Sequence, residues 1–157
     1  VGVTATGSLQ LKSYYSSYGI STADVAAPGG DRILQVTAAA PNGRVLSTFS
    51  SNGIICAPSL SVIDPATGAK YCYLQGTSMA GPHAVGVAAL ILSAHGDMAQ
   101  GALAANVQQA TNPLPCPDTS IYAPFPQNSG EPQTCQGGTA HNSFYGAGEV
   151  DALKAVS

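Results

Sequence analysis

Along the first seventy-odd residues, apolar positions come in short runs cut by Gly, Pro, Asn and Ser; two long helical stretches follow. Val1 to Ala5, Asp24 to Ala27, Arg32 to Ala38, Arg44 to Phe49 and Tyr71 to Leu74 read as strands, each bounded by turn-forming residues. From about Ser78 to His95 small and aliphatic residues occupy every side, which predicts a helix buried within the domain rather than lying on its surface. A second helix, Met98 to Thr111, carries Leu103, Val107 and Ala110 at helical spacing and turns Gln108 and Gln109 outward. Asn112 to Pro132 lacks any period and is expected to be an ordered loop held by its cysteines. The pattern is that of a partial α/β domain with no internal repeat.

The junction between the last strand and the first helix carries the chemistry. Tyr71-Cys72-Tyr73-Leu74 is apolar enough for a buried strand, so Ser78, in Gln75-Gly76-Thr77-Ser78-Met79-Ala80-Gly81-Pro82-His83, falls where strand becomes helix. Backbone N–H groups in a first helical turn lack intrahelical acceptors and carry the positive end of the helix dipole, so they suit a developing oxyanion. The Ser78 amide is the expected donor. Gly76 allows close backbone approach, the Thr77 hydroxyl is placed to cap the helix, and Pro82 falls near the end of the first turn, where a missing N–H costs little. A short Gly-Thr-Ser alone would be read as an N-cap and nothing more.

The longer string from Gly76 to His83, followed by Gly86 and Ala88-Ala89-Leu90, resembles the nucleophile signature of subtilisin-like serine proteases. Further matches occur in the family's order. Val1 to Ala5 looks like the strand after the oxyanion asparagine, Tyr15 to Gly19 like the serine-rich turn, and Asp24 to Gly29 like the strand and Ala-Pro-Gly turn that follow. Val45 to Thr48 is similar to the next strand, and Tyr145 to Ala152 to the segment that closes the catalytic domain. The resemblance implies a doubly wound, mostly parallel sheet with a buried central helix. It makes residues 1–157 the C-terminal portion of a catalytic domain whose catalytic Asp, His and oxyanion Asn lie upstream. A nucleophile at Ser78, a peptide or protein substrate, and an N-terminal half as partner are what it implies, and the chain alone should be nearly inert. A catalytically dead relative serving as a binding or regulatory module is the alternative within the family. Asn52 to Lys70 and Pro113 to Asn142 look like insertions, and Gln75 stands where the family often has Asn or Ser.

The chain's own histidines offer a different base. His83 is five residues beyond Ser78, about 7.5 Å along the helix and about 140° around it, and is expected to be a core histidine bonded to a neighbouring strand. His95 precedes Gly96 and suits a helix C-terminus. His141 lies in a polar loop, so the order Ser78, Asp118, His141 would fit an α/β-hydrolase esterase. Against it, Ala80 occupies the last position of the Gly-x-Ser-x-Gly elbow, and no second oxyanion loop is evident.

Only 8% of the residues are charged and the net charge is −3, so there is no basic patch to hold nucleic acid. The longest apolar run, Ala84 to Leu92, is shorter than the ~20 residues of a membrane span, and no membrane partner is expected. Cys56, Cys72, Cys116 and Cys135 permit three pairings. The sequential one is favoured, because each pair brackets a turn-rich loop and Asp64-Pro65-Ala66-Thr67-Gly68 lets the arms of the first meet as a hairpin. Disulfides would indicate a secreted protein. No Cys-x-x-Cys or histidine cluster suggests zinc, and no cofactor is required. The family often binds calcium as a structural ion; Asp24 could serve a weak cation site or a turn, and no metal ligand is assigned. Asp31 and Asp64 fit turn roles.

Overall fold

In a computed structural model, residues 1–50 and 56–157 are described. The strands are β1 (Val3–Thr6), β2 (Val25–Pro28), β3 (Val45–Thr48), β4 (Ser61–Ile63), β5 (Lys70–Leu74), β6 (Thr111–Asn112), β7 (Gly137–Gly138), β8 (His141–Asn142) and β9 (Glu149–Val150). The helices are α1 (Thr77–His95) and α2 (Gln100–Gln109). One sheet has the order β1-β2-β9-β6, parallel except where β6 meets β9. A second, antiparallel sheet has the order β3-β5-β4, and β7 and β8 form a two-stranded ribbon.

Alternation along β1 and β2 divides the core between the two faces of the first sheet. Ala5, Val25 and Ala27 join Ala80, Ala84, Val87 and Ile91 of α1 and Val107 and Ala110 after it. Ala26 faces the other way, onto Tyr122, Phe144 and Tyr145. Small residues on β2 let α1 lie close to the sheet.

Three expectations need correction. Arg32 to Ala38 forms turns, not a strand. The Asp31 carboxylate, fully buried, accepts from the N–H groups of Ile33 and Leu34 and from that of Tyr14, so the backbone donors a strand would use are already taken. The run Tyr71 to Leu74 is a strand but belongs to the second sheet, and only Cys72 is buried. Helix α1 is buried along one face only, at Ala80, Ala84, Val87 and Ile91, while Val85 and Leu90 are 68% and 39% exposed. Its 19 residues are also long and apolar enough, by length and composition, to cross a membrane. Packing of its buried stripe on β1, β2 and α2 marks it as a core helix with one side bare.

The disulfides pair as favoured, Cys56 with Cys72 and Cys116 with Cys135. The first staples the β4–β5 hairpin, whose turn is fixed by the Asp64 carboxylate accepting from Ala66 N–H and the Thr67 hydroxyl. Residues 52–55 of the first expected insertion lie outside the described residues. The second disulfide closes the loop that holds the Thr119–Tyr122 turn of 3-10 helix.

Lys12 is, with Asp31, one of two fully enclosed charges among the described residues. It has no exposed surface, donates from Nζ to the carbonyls of Ser13 and Ser16 at 3.0 Å each, and lies 5.1 Å from the ring centres of Tyr18, Tyr122 and Phe144. Burial pushes its pKa down from 10.5 to about 7, against the pull of Asp31.

Candidate active site

Ser78 is the second residue of α1, one turn past the end of β5, and its side chain is exposed. Among the described residues no hydrogen bond engages its hydroxyl or its N–H. The helix is opened instead by the Gly76 carbonyl, which accepts from Met79 N–H at 2.9 Å and Ala80 N–H at 3.3 Å. Gly76 is the N-cap, with φ of 155°, and no side chain caps the helix. The capping expected of Thr77 is therefore not observed, because Thr77 is already inside the first turn. With the helix starting at Thr77, Pro82 is its sixth residue, just past the first turn, and the Ser78 carbonyl lacks its i+4 donor.

The turn is anchored from below. Gly76 N–H donates to the Gly29 carbonyl at 2.9 Å. A Cβ on Gly29 would fall 2.5 Å from the Ala5 Cβ and 2.8 Å from the Gly76 carbonyl oxygen, so only glycine lets these backbones meet. The Tyr15 hydroxyl donates toward the carbonyls of Gly29 and Gly30, at 2.9 and 2.7 Å, and burial raises its pKa to about 12. Gln75 ties the turn sideways, accepting from Arg32 N–H at 2.9 Å and donating to the Tyr14 hydroxyl at 3.2 Å.

No described histidine bonds to Ser78. His83 is exposed and its Nδ1 pairs with the Met79 carbonyl of its own helix at 2.8 Å, which corrects the expected core histidine. His95 Nε2 pairs with the Ala155 carbonyl, 3.2 Å away, and so ties the end of α1 to the C-terminal segment. His141 Nε2 is 2.9 Å from the Ile20 carbonyl. Asp118 accepts from Ser120 N–H and Oγ, bonds that hold its carboxyl below the usual range. No hydrogen bond links Ser78, Asp118 and His141.

Asp24 spends its carboxylate on Gly2 N–H, at 2.6 Å, and on Gln108 Nε2, at 3.4 Å, a brace between β2 and its neighbours. Among the described residues no group of three or more His, Cys, Asp or Glu converges. The role of Gln75 was not legible in sequence; only its departure from the family pattern signalled it.

Ser78 is thus an exposed serine in the first turn of a core helix that follows a strand. Residues 1–148 match the Subtilase family, and the chain belongs to it. It is 43% identical over 51 residues to a "Thermophilic serine proteinase" of Bacillus sp. (strain AK1), covering 31% of this chain and 13% of that one. It is 34% identical over 126 residues to "Subtilisin-like protease SBT1.3" of Arabidopsis thaliana, covering 79% and 14%. A solved protease from Pseudoalteromonas arctica PAMC 21717 superposes with a TM-score of 0.62 at 33% identity, over 99% of this chain and 34% of that one. The chain thus spans about a third of that structure and less of the two curated relatives.

Proposed function

We propose that residues 1–157 form the C-terminal portion of a subtilisin-like serine endopeptidase domain and that Ser78 is its nucleophile. The observation that carries this reading is the free hydroxyl and free N–H of one exposed residue, on a turn held by Gly29, Tyr15 and Gln75. In the reaction Ser78 Oγ attacks the peptide carbonyl, and its proton passes to a histidine from the N-terminal half, oriented there by an aspartate. The Ser78 N–H, at the positive end of α1, and an asparagine from the same half receive the oxyanion. The histidine then protonates the leaving amine, and water releases the acyl group by the reverse path.

Three observations support a partner half. The chain covers a minor share of its relatives. No described histidine reaches Ser78. Val1, Val3, Val85, Ala88 and Leu103 line an apolar groove beside α1, next to β1, whose outer edge carries no strand among the described residues. A positioned general base contributes about 10²–10⁴-fold, so this chain without its complement is expected to turn over substrate slowly or not at all. Two disulfides support a secreted protein. Calcium, where the whole enzyme uses it, acts as a structural ion.

The test is labelling with a fluorophosphonate serine probe. The chain combined with its N-terminal half should label at Ser78, and Ser78→Ala should not. Equal labelling of the chain alone would refute the divided site; absence of label at Ser78 in the complete enzyme would refute the nucleophile.

A further inference from the structure

Gln75 is one of the residues at which this chain departs from the common pattern around Ser78, and both ends of its amide are occupied. Oε1 accepts from Arg32 N–H, in the turn after β2, and Nε2 donates to the Tyr14 hydroxyl. Tyr14 is itself fixed from the far side. Its ring meets Phe125 at 4.7 Å between centroids, tilted by 39°, and Tyr15 edge-on at 5.2 Å. Gln133, 6% exposed, donates from Nε2 to the carbonyls of Tyr14 and Phe125, at 2.9 and 2.6 Å. Phe125 and Gln133 both belong to the loop closed by Cys116–Cys135.

A continuous line of contacts therefore runs from a disulfide-closed loop, through Tyr14, to the residue before Gly76. That glycine, held through its backbone by Gly29, Met79 and Ala80, has a φ of 155° that a residue with a side chain rarely adopts, and it is the joint between the tethered Gln75 and the helix. A small rotation there would swing the first turn of α1 and displace the Ser78 hydroxyl, and misplacements of this kind act on the chemical step more than on binding.

We propose that Gln75 is a positioning residue for Ser78 and that Tyr14, braced by the loop 113–142, is the anchor through which it acts. The insertion then has a task at the active site beyond covering the surface. The inference rests on Ser78 being the nucleophile.

The test uses the complete protease and a chromogenic peptide substrate. Gln75→Leu removes both hydrogen bonds; Tyr14→Phe removes only the acceptor and keeps the ring against Phe125. Each is expected to lower kcat about five- to tenfold with KM nearly unchanged. The double variant should be no slower than the slower single one, because both cut the same line. Should Gln75→Leu fail to fold, Tyr14→Phe decides alone. Unchanged kcat in Tyr14→Phe, a raised KM at constant kcat, or losses that multiply in the double variant would overturn the positioning role while fluorophosphonate labelling of Ser78 stays intact. Absence of that label in the wild-type enzyme would overturn the nucleophile assignment and this inference with it.

Discussion

Lys12 gives the fold a stability that should rise with pH. Its ammonium is enclosed by three aromatic rings and two carbonyls, and burial lowers its pKa from 10.5 to about 7. Between those values the unfolded chain holds a proton that the folded chain does not. Folding therefore releases a proton, and raising the pH favours the folded state by up to ~1.4 kcal/mol per pH unit. From pH 7.5 to 9.5 the gain approaches about 2.7 kcal/mol. For a domain of this size that corresponds to roughly 5–11 °C in Tm. The trend should reverse above pH 10, because burial raises the pKa values of Tyr15, Tyr122 and Tyr145, and unfolding then releases protons. Circular-dichroism melts at half-unit steps would measure it, with Lys12→Met as the control expected to lose the slope. A wild-type Tm that stays flat or falls between pH 7.5 and 9.5 would refute the argument, as would a slope that survives in Lys12→Met.

Two further substitutions probe the site. Gly29→Ala forces a methyl against the Ala5 Cβ and the Gly76 carbonyl oxygen and should cost about 1–3 kcal/mol in urea unfolding, with slower serine labelling in the complete enzyme. His141→Ala should leave the labelling rate within twofold, since its ring is engaged with the Ile20 carbonyl; a loss of 10²-fold or more would instead support the Ser78, Asp118, His141 arrangement.

The sequence reveals α1 to within a residue at its start and fully at its end, because a glycine flanks it on each side and the apolar run from Ala84 to Leu92 outweighs the turn signal of Gly81-Pro82 near its start. The stapled hairpin was legible for a similar local reason: Asp64 and Gly68 dictate its turn. What sequence could not supply depends on partners distant along the chain. Ile33, Leu34 and Val36 have the composition of a strand, yet the buried carboxylate of Asp31 organises them into turns. Strands β6 and β9 are two residues each, too short to leave a pattern. His83 was expected in a core because its offset from Ser78 along and around the helix makes it a poor base, yet it is exposed and its ring bonds within its own helix, an outcome set by packing that helix geometry does not encode. For the site, the position of Ser78 was readable from its flanking residues, whereas the Tyr14–Gln75–Arg32 tether joins three separate segments and has no local signature.

The pairing of Ala26 with Glu149 spans more than a hundred residues of intervening chain, and Glu149 also accepts from the Thr6 hydroxyl and the Gln10 amide. That interior strand of the first sheet is thus made only after the long segment between the two partners. The earlier strands wait for it with that edge of β2 vacant, so completion of this sheet is paced by closing a long loop rather than by local pairing.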